Sequence, residues 1–296
     1  MLTNKEFEVL IHFIDNSITP TQRELSALTG FSIGTTNGLV QSLSQKGYIE
    51  NRTITQSGLS ALEPYKVKRA IFLAAGFGSR LVPITLNTPK PLIRVHGTRI
   101  IDTLLDAVVA AEIPEIIIVR GYLGEQFDQL IYKYPNIKFV ENPLFNETNN
   151  ISSALQVCQY FENSYVFESD LLLKKPSLIR KYEYRTNFLG IPIERCDDWC
   201  FTTNSSGSIL SQTSGGVDCY QMVGISYWDH TAGKQLCNDI QSVYHSPGGK
   251  ERFWEQTATI YHKENYDIKI RTCEPNDVIE IDTYNELKML DELYSL

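Results

Sequence analysis

The chain has 296 residues, of which 42% are hydrophobic and 21% charged, with a formal net charge of -8. This is an ordinary globular composition, with material for a sizeable core and enough chain for one large domain plus a small one. An acidic excess of this size disfavours nucleic acid as the main substrate, so any nucleotide site must gather its positive charge locally.

The N-terminus, MLTNKEFEVL, lacks the basic-then-apolar order of a secretory leader. No apolar run is long enough to span a bilayer, so a cytoplasmic protein with no membrane segment is expected. The six cysteines stand at 158, 196, 200, 219, 237 and 273 without a C-x-x-C pair. Reduced thiols are therefore expected rather than a zinc site or a disulfide framework.

In chain order, Phe7, Val9, Leu10, Phe13 and Ile14 recur at helical spacing. A second short helix starts near Pro20, runs through Leu25 to Leu28 and ends at Gly30. Ser32 is placed to cap a third, whose apolar face is Leu39, Val40 and Leu43. After Gly47 comes an alternating run from Tyr48 to Ile54, then a helix from Gln56 to Leu62, closed by Pro64. Helix, helix-turn-helix, wing and helix is the order of winged-helix domains, and residues 1–65 resemble one, most of all at KGYIE and ITQSGLSAL. The resemblance implies a third helix that reads DNA, with Thr35, Thr36 and Asn37 at its exposed start. Four bases against six acids in this segment favour a docking or dimerising module at least as much, so DNA, a protein partner and a second copy all stay open.

From residue 66 to 296 the pattern changes. The runs 70–73, 116–119, 139–140 and 165–167 read as buried strands, and 100–111, 125–132 and 151–160 as helices between them. This alternation predicts an α/β domain: a Rossmann-like, mainly parallel mixed sheet with helices on both faces.

The first of these strands runs into Leu73-Ala74-Ala75-Gly76-Phe77-Gly78-Ser79-Arg80-Leu81, and Pro89-Lys90-Pro91-Leu92 follows eight residues later. Small residues let backbone N–H groups approach a phosphate chain, and Arg80 and Lys90 add fixed charge. The loop is neither G-x-x-x-x-G-K-[ST] nor G-x-G-x-x-G, because Leu81 stands at the third glycine position. The combined loop is similar to the signature of nucleotide-sugar pyrophosphorylases and related nucleotidyltransferases.

Nucleotidyl transfer needs a hard divalent cation, and two distant strands end in acids: Glu168 with Asp170, and Glu280 with Asp282. Residues two apart on a strand share a face, and ligands of open parallel sheets collect beyond the strands' carboxyl ends. In the resembling family Asp170 and Asp282 match the metal-binding aspartates, with Glu280 as a helper and magnesium as the ion. Glu168 is left between packing and metal support.

The stretches VRGYLGEQF, NETNNISSAL, VGISYW and RFWEQ, with VIEID, resemble bacterial CTP:phosphocholine cytidylyltransferases over about residues 67–295. The resemblance places Asn149, Asn150 and Ser152 beside the base and ribose, with Tyr122 nearby. A quaternary ammonium donates no N–H bond and is held by aromatic faces. Trp199, Tyr227 and Trp254, with Asp198 and Glu255, are the expected cage, and Arg195 the expected holder of the acceptor phosphate. The expected reaction joins CMP from CTP to phosphocholine with release of pyrophosphate. 2-Aminoethylphosphonate, phosphoethanolamine or a sugar 1-phosphate are the alternative acceptors, and a nucleotide-sensing DNA regulator is the alternative of another class. A homodimer is compatible with all of these.

Overall fold

The computed structural model describes residues 2–14 and 20–295. It divides into two compact units, Met1–Lys66 with Tyr182–Tyr184, and Val67–Lys181 with Arg185–Leu296.

In the first unit, helices α1 (Asn4–Leu10), α2 (Gln22–Thr29) and α3 (Ile33–Gln45) precede a hairpin of β1 (Ile49–Glu50) and β2 (Thr53–Ile54), then α4 (Gln56–Leu62). Thr3 with Glu6 and Thr21 with Glu24 form capping boxes, Ser32 caps α3, and Gly30 ends α2 in the left-handed conformation at φ +71°. Phe7, Leu10, Phe13, Leu25, Leu43, Ile49, Ile54 and Leu62 form the core. Glu6 is buried and accepts from Lys46 at 2.6 Å and Ser42 at 2.8 Å. Burial opposes its ionisation, but Lys46, Thr3 and Ser42 prevail and pull its carboxyl down to about 2. Thr36, expected at an exposed reading surface, is buried and returns its hydroxyl to the Ser32 carbonyl at 3.0 Å.

In the second unit the strands are β3 (Arg69–Ala74), β4 (Arg94–Val95), β5 (Thr98–Arg99), β6 (Glu115–Arg120), β7 (Ile137–Glu141), β8 (Ser164–Glu168), β9 (Leu171–Leu173), β10 (Asn187–Thr203), β11 (Ile209–Trp228), β12 (Lys269–Thr272) and β13 (Val278–Glu280). The helices are α5 (Ile100–Ala110), α6 (Ile151–Val157), α7 (His230–His245) and α8 (Tyr284–Leu290). Among the described residues, seven strands form one sheet in the order β12-β10-β11-β8-β3-β6-β7. The pairs β3–β6, β3–β8, β6–β7 and β10–β12 are parallel, while β11 runs antiparallel to both β8 and β10.

The strand period of two sets both faces. Ala70, Phe72, Ile116, Ile118 and Phe167 pack on one side against Ile101, Leu104, Leu105 and Val108 of α5. Ile71, Ile117, Val119 and Val166 pack on the other against α6 and α7, through Ile151, Ala154, Val157, Leu236, Ile240 and Val243. Residues 124–132 form a 3₁₀ rather than an α-helix, following Leu123 in the left-handed conformation. The thiols are not all reduced: Cys158, just past α6, and Cys237 on α7 are joined where the packed helices bring their Cα atoms within 4.6 Å. Their separation of 79 residues left no local signal for the pairing. Among the described residues, no helix is long and apolar enough to cross a membrane.

Candidate active site

The glycine loop leaves the carboxyl end of β3 inside the sheet, between the parallel strands β8 and β6, which direct their ends to one crevice. Gly78 sits at φ +62°, and a Cβ there would lie 3.0 Å from Lys90 Cβ and 3.1 Å from Thr85 Cγ2. Only glycine relieves both constraints. Thr85 donates its hydroxyl to the Gly78 carbonyl at 2.9 Å, so the loop and the lysine segment form one braced piece.

The acids come from the ends of two strands, β8 and β13. The short ribbon β9–β13 pairs Val278 with Leu173 and Glu280 with Leu171. The Ile281 amide then donates to the Asp170 carbonyl at 3.2 Å, bringing Asp170 and Asp282 to one spot. Between their carboxylates lies Lys90, whose ammonium is 2.7 Å from Asp170 Oδ2 and 2.9 Å from Asp282 Oδ1. Arg80 adds a second donor to Asp282 Oδ1 at 2.9 Å. Lys90 is 9% exposed. Burial pulls its ammonium pKa down, but Asp170 and Asp282 outweigh burial and raise it, so it stays charged.

Glu168, Asp170 and Glu280 offer carboxylate oxygens that all lie within 4.8 Å of one another. Glu168 thus joins Asp170 and Glu280 more directly than does Asp282, whose oxygen is taken by Lys90 and Arg80. Burial raises Glu280 to about 8, with Asp170 and Asp282 adding repulsion, and burial beside Asp170 raises Glu168 well above the carboxylate range. Asp170 Oδ1 is buried with no hydrogen-bond partner in the protein. Clustered hard oxygens, mutual repulsion and an orphaned carboxylate oxygen fit a divalent cation.

These groups line a cavity of about 480 Å³, and a recess of about 260 Å³ beside it is bounded by Gly78, Ser79 and Lys90. Leu73, Ala75, Gly76, Arg80, Asn149, Asn150, Asp198, Trp199, Glu255, Glu280, Asp170 and Asp282 line the larger space, and Ala74 the recess. Asn149 Nδ2 donates to the Glu251 carbonyl at 3.2 Å, and Asn150 Oδ1 accepts from the Trp254 amide at 2.9 Å. Trp199 and Phe253 face each other edge-on with ring centroids 5.9 Å apart. Burial pushes the Glu255 carboxyl up to about 7, although its own backbone amide and Gln212 work against the rise.

Several expected residues lie elsewhere. Trp254 is core, packed on Phe161, Phe188 and Trp228 with centroids 5.7, 6.3 and 5.9 Å away. Tyr227 is 1% exposed, packs against Tyr165 and donates its hydroxyl to Asn163. Arg195 is solvent-exposed, 3.6 Å from Asp197, and is not among the residues that line the cavity. Ser152 is buried and accepts from Asn142 at 2.9 Å, while its neighbour Ser153 lines the cavity. Tyr122 braces the loop from outside: its ring is 5.0 Å from that of the loop residue Phe77, and it donates to the Thr85 carbonyl at 2.9 Å.

The cavity also uses Phe145, Thr148, Met222, Gly224 and Phe253, which sequence alone did not assign. Gly224 had a signal in VGISYW without a reason: a Cβ there would meet Glu168 Oε2 at 2.6 Å.

Residues 69–186 match the family model described as nucleotidyl transferase. A 2-aminoethylphosphonate cytidylyltransferase of Lancefieldella rimae is 35% identical over 228 residues, 76% of this chain and 92% of that protein. A choline-phosphate cytidylyltransferase of Streptococcus pneumoniae is 30% identical over 230 residues, 76% of this chain and 97% of that protein. The solved structure of CTP:phosphocholine cytidylyltransferase from Streptococcus pneumoniae superposes with a TM-score of 0.70 at 28% identity, covering 77% of this chain and 99% of that one.

Proposed function

Because this chain belongs to the nucleotidyl transferase family of enzymes, we propose that it transfers CMP from CTP to a small phosphorylated or phosphono amine. The observation that carries this reading is the convergence of Lys90, Arg80, Asp170 and Asp282 on one spot beside the glycine loop. An acceptor oxygen forms the new P–O bond at the α-phosphorus, the bond to the β-phosphoryl oxygen breaks, and pyrophosphate leaves. The attacking oxygen is already anionic, so no general base is required. The protein's work is positioning and charge neutralisation. Backbone amides of residues 75–79 cradle the triphosphate, and Lys90 and Arg80 turn from the aspartates to the leaving pyrophosphate. Asp170 and Glu280, with Glu168 and Asp282 beside them, would hold magnesium, which supplies charge neutralisation on the phosphate oxygens when bound.

The acceptor's cationic head lies, in this reading, between Trp199, Phe253, Asp198 and Glu255. Two rings remain where a fuller aromatic cage was expected. Glu255 Oε2, buried without a donor, is better satisfied by the N–H groups of a primary ammonium than by methyl groups. We therefore place 2-aminoethylphosphonate or phosphoethanolamine ahead of phosphocholine. Phosphocholine is the second reading, favoured by the edge-on Trp199–Phe253 pair. A sugar 1-phosphate brings no cation to meet Asp198 and Glu255 at this end. The test is a pyrophosphate-release assay of four nucleoside triphosphates against all four acceptors, with magnesium. Release confined to CTP with an amine acceptor supports the reading, whereas release with a sugar phosphate alone refutes it.

The helix, helix, helix, hairpin and helix order of the first unit supports its reading as a winged-helix module. Its six acids against four bases favour a protein partner over DNA. A gel shift on random duplex at low salt would reverse that preference.

A further inference from the structure

We propose that Gln212 is a positioning residue for the acceptor: it clamps one oxygen of Glu255 so that the other faces the cationic head. The proposal rests on Glu255 belonging to the acceptor seat. Gln212 lies on β11 and is 6% exposed. Its amide Nε2 lies 3.4 Å from Glu255 Oε1, and its Oε1 accepts from the Thr259 hydroxyl. The amide nitrogen thus faces the Glu255 carboxyl and the amide oxygen faces the Thr259 hydroxyl, which also lies 2.9 Å from the Glu255 backbone carbonyl. Nε2 also lies 3.9 Å from the sulfur of Met222, a cavity wall residue, so the amide is held from a second side.

The result is a chain from the Thr259 hydroxyl through the Gln212 amide to the Glu255 carboxylate, every link buried. Glu255 Oε1 is occupied by the protein, while Oε2 is buried and without a hydrogen-bond partner in it. A buried carboxylate oxygen left in that state is costly unless something else supplies a donor. Glu255 lines the cavity, so the group that supplies it is an ammonium arriving with the acceptor. Gln212 touches no substrate in this arrangement and acts through Glu255.

The test is steady-state kinetics of Gln212→Leu in the full chain, which keeps volume and removes the donor. The acceptors are 2-aminoethylphosphonate, phosphoethanolamine and ethyl phosphate, the last having no cation. The KM for both amines should rise about 10-fold while kcat stays within about 2-fold. The KM for CTP and the kcat/KM for ethyl phosphate should not move. Unchanged amine KM overturns the proposal, and so does an equal loss with ethyl phosphate and CTP, because that pattern is structural damage. If Gln212→Leu does not fold, Thr259→Val frees the amide to rotate, and a rise of about 3-fold in amine KM alone is expected; no rise refutes the clamp. A wild-type enzyme that turns over no amine acceptor would sink the functional reading itself, a different result from an active enzyme whose amine KM ignores Gln212.

Discussion

Lys90 and Asp170 form an ion pair 2.7 Å long, and the same ammonium holds Asp282 at 2.9 Å. The lysine that should neutralise the triphosphate thus first neutralises the carboxylates that would otherwise repel one another. Lys90→Ala removes both functions. Turnover should fall by about 10²–10⁴-fold, the range seen when a preorganised charge stabiliser is lost. The melting temperature should also fall, because Asp170 and Asp282 then face each other without a cation, and magnesium should restore part of it. Kinetics with melting curves plus and minus magnesium check this. Near-wild-type turnover would remove Lys90 from the chemistry.

The raised carboxyls at this site give the stability a defined pH dependence. Glu255 and Glu280 titrate from an ordinary value of 4.5 up to about 7 and about 8 in the fold. Their protonated forms are favoured by folding, so their contribution is fully present below pH 4.5 and is lost as pH rises to about 8. Glu6, lowered to about 2, acts in the opposite sense, and its contribution is constant above about pH 4.5 and lost only on further acidification. Between pH 5 and pH 8 melting temperature should therefore drift down. The double variant Glu255→Gln, Glu280→Gln should flatten that slope. An equally steep slope in the double variant would show that these acids are not its source.

The pieces of the site that were legible in sequence are those where backbone geometry and side-chain chemistry coincide. The loop from Leu73 to Leu81 declares itself through small residues after an apolar strand, and Asp170 and Asp282 through acids at strand ends. Residues 187–228 were not legible as a long hairpin, because β10 and β11 carry bulges and exposed polar residues that break strict alternation. Nor does sequence separate Phe253 from Trp254. The two sit at the start of a turn, where the Gln256 and Thr257 amides return to the Phe253 and Trp254 carbonyls, and only the fold fixes which ring meets Phe161, Phe188 and Trp228. Clamp residues such as Gln212 carry no local pattern at all, since their meaning lies in a partner 43 residues away.

Gly224 should not tolerate a methyl group. Ile225 pairs with Phe167 across β11 and β8, which sets Gly224 against Glu168, and an added Cβ would lie 2.6 Å from Glu168 Oε2 and 2.7 Å from its Cβ. Gly224→Ala must therefore displace Glu168 from the acidic cluster. The expected outcome is a loss of activity of at least about 10-fold with a higher magnesium requirement, and a destabilisation of about 1–3 kcal/mol from overpacking. Magnesium titration of activity, together with denaturant unfolding, measures both. Wild-type values in both would mean that Glu168 is free to move and takes no part in the cluster.

Trp199 and Trp254, two of the three tryptophans, should separate cleanly by variant. Trp199 faces the cavity beside Asp198 and Phe253, whereas Trp254 is 3% exposed in the core. Trp199→Ala removes a cavity wall and little packing, so the KM for the amine acceptor should rise about 10-fold or more while the melting temperature barely changes. Trp254→Ala opens a core hole and should cost about 3–5 kcal/mol of stability, with the folded fraction keeping a similar acceptor KM. Asp198 bonds the Trp199 amide at 2.7 Å, so Asp198→Ala should follow Trp199→Ala in direction, through a ring that is less firmly placed. Acceptor KM measured beside urea unfolding for all three variants decides the matter. A Trp254 variant that is stable but defective in acceptor binding would put the wrong tryptophan in the seat.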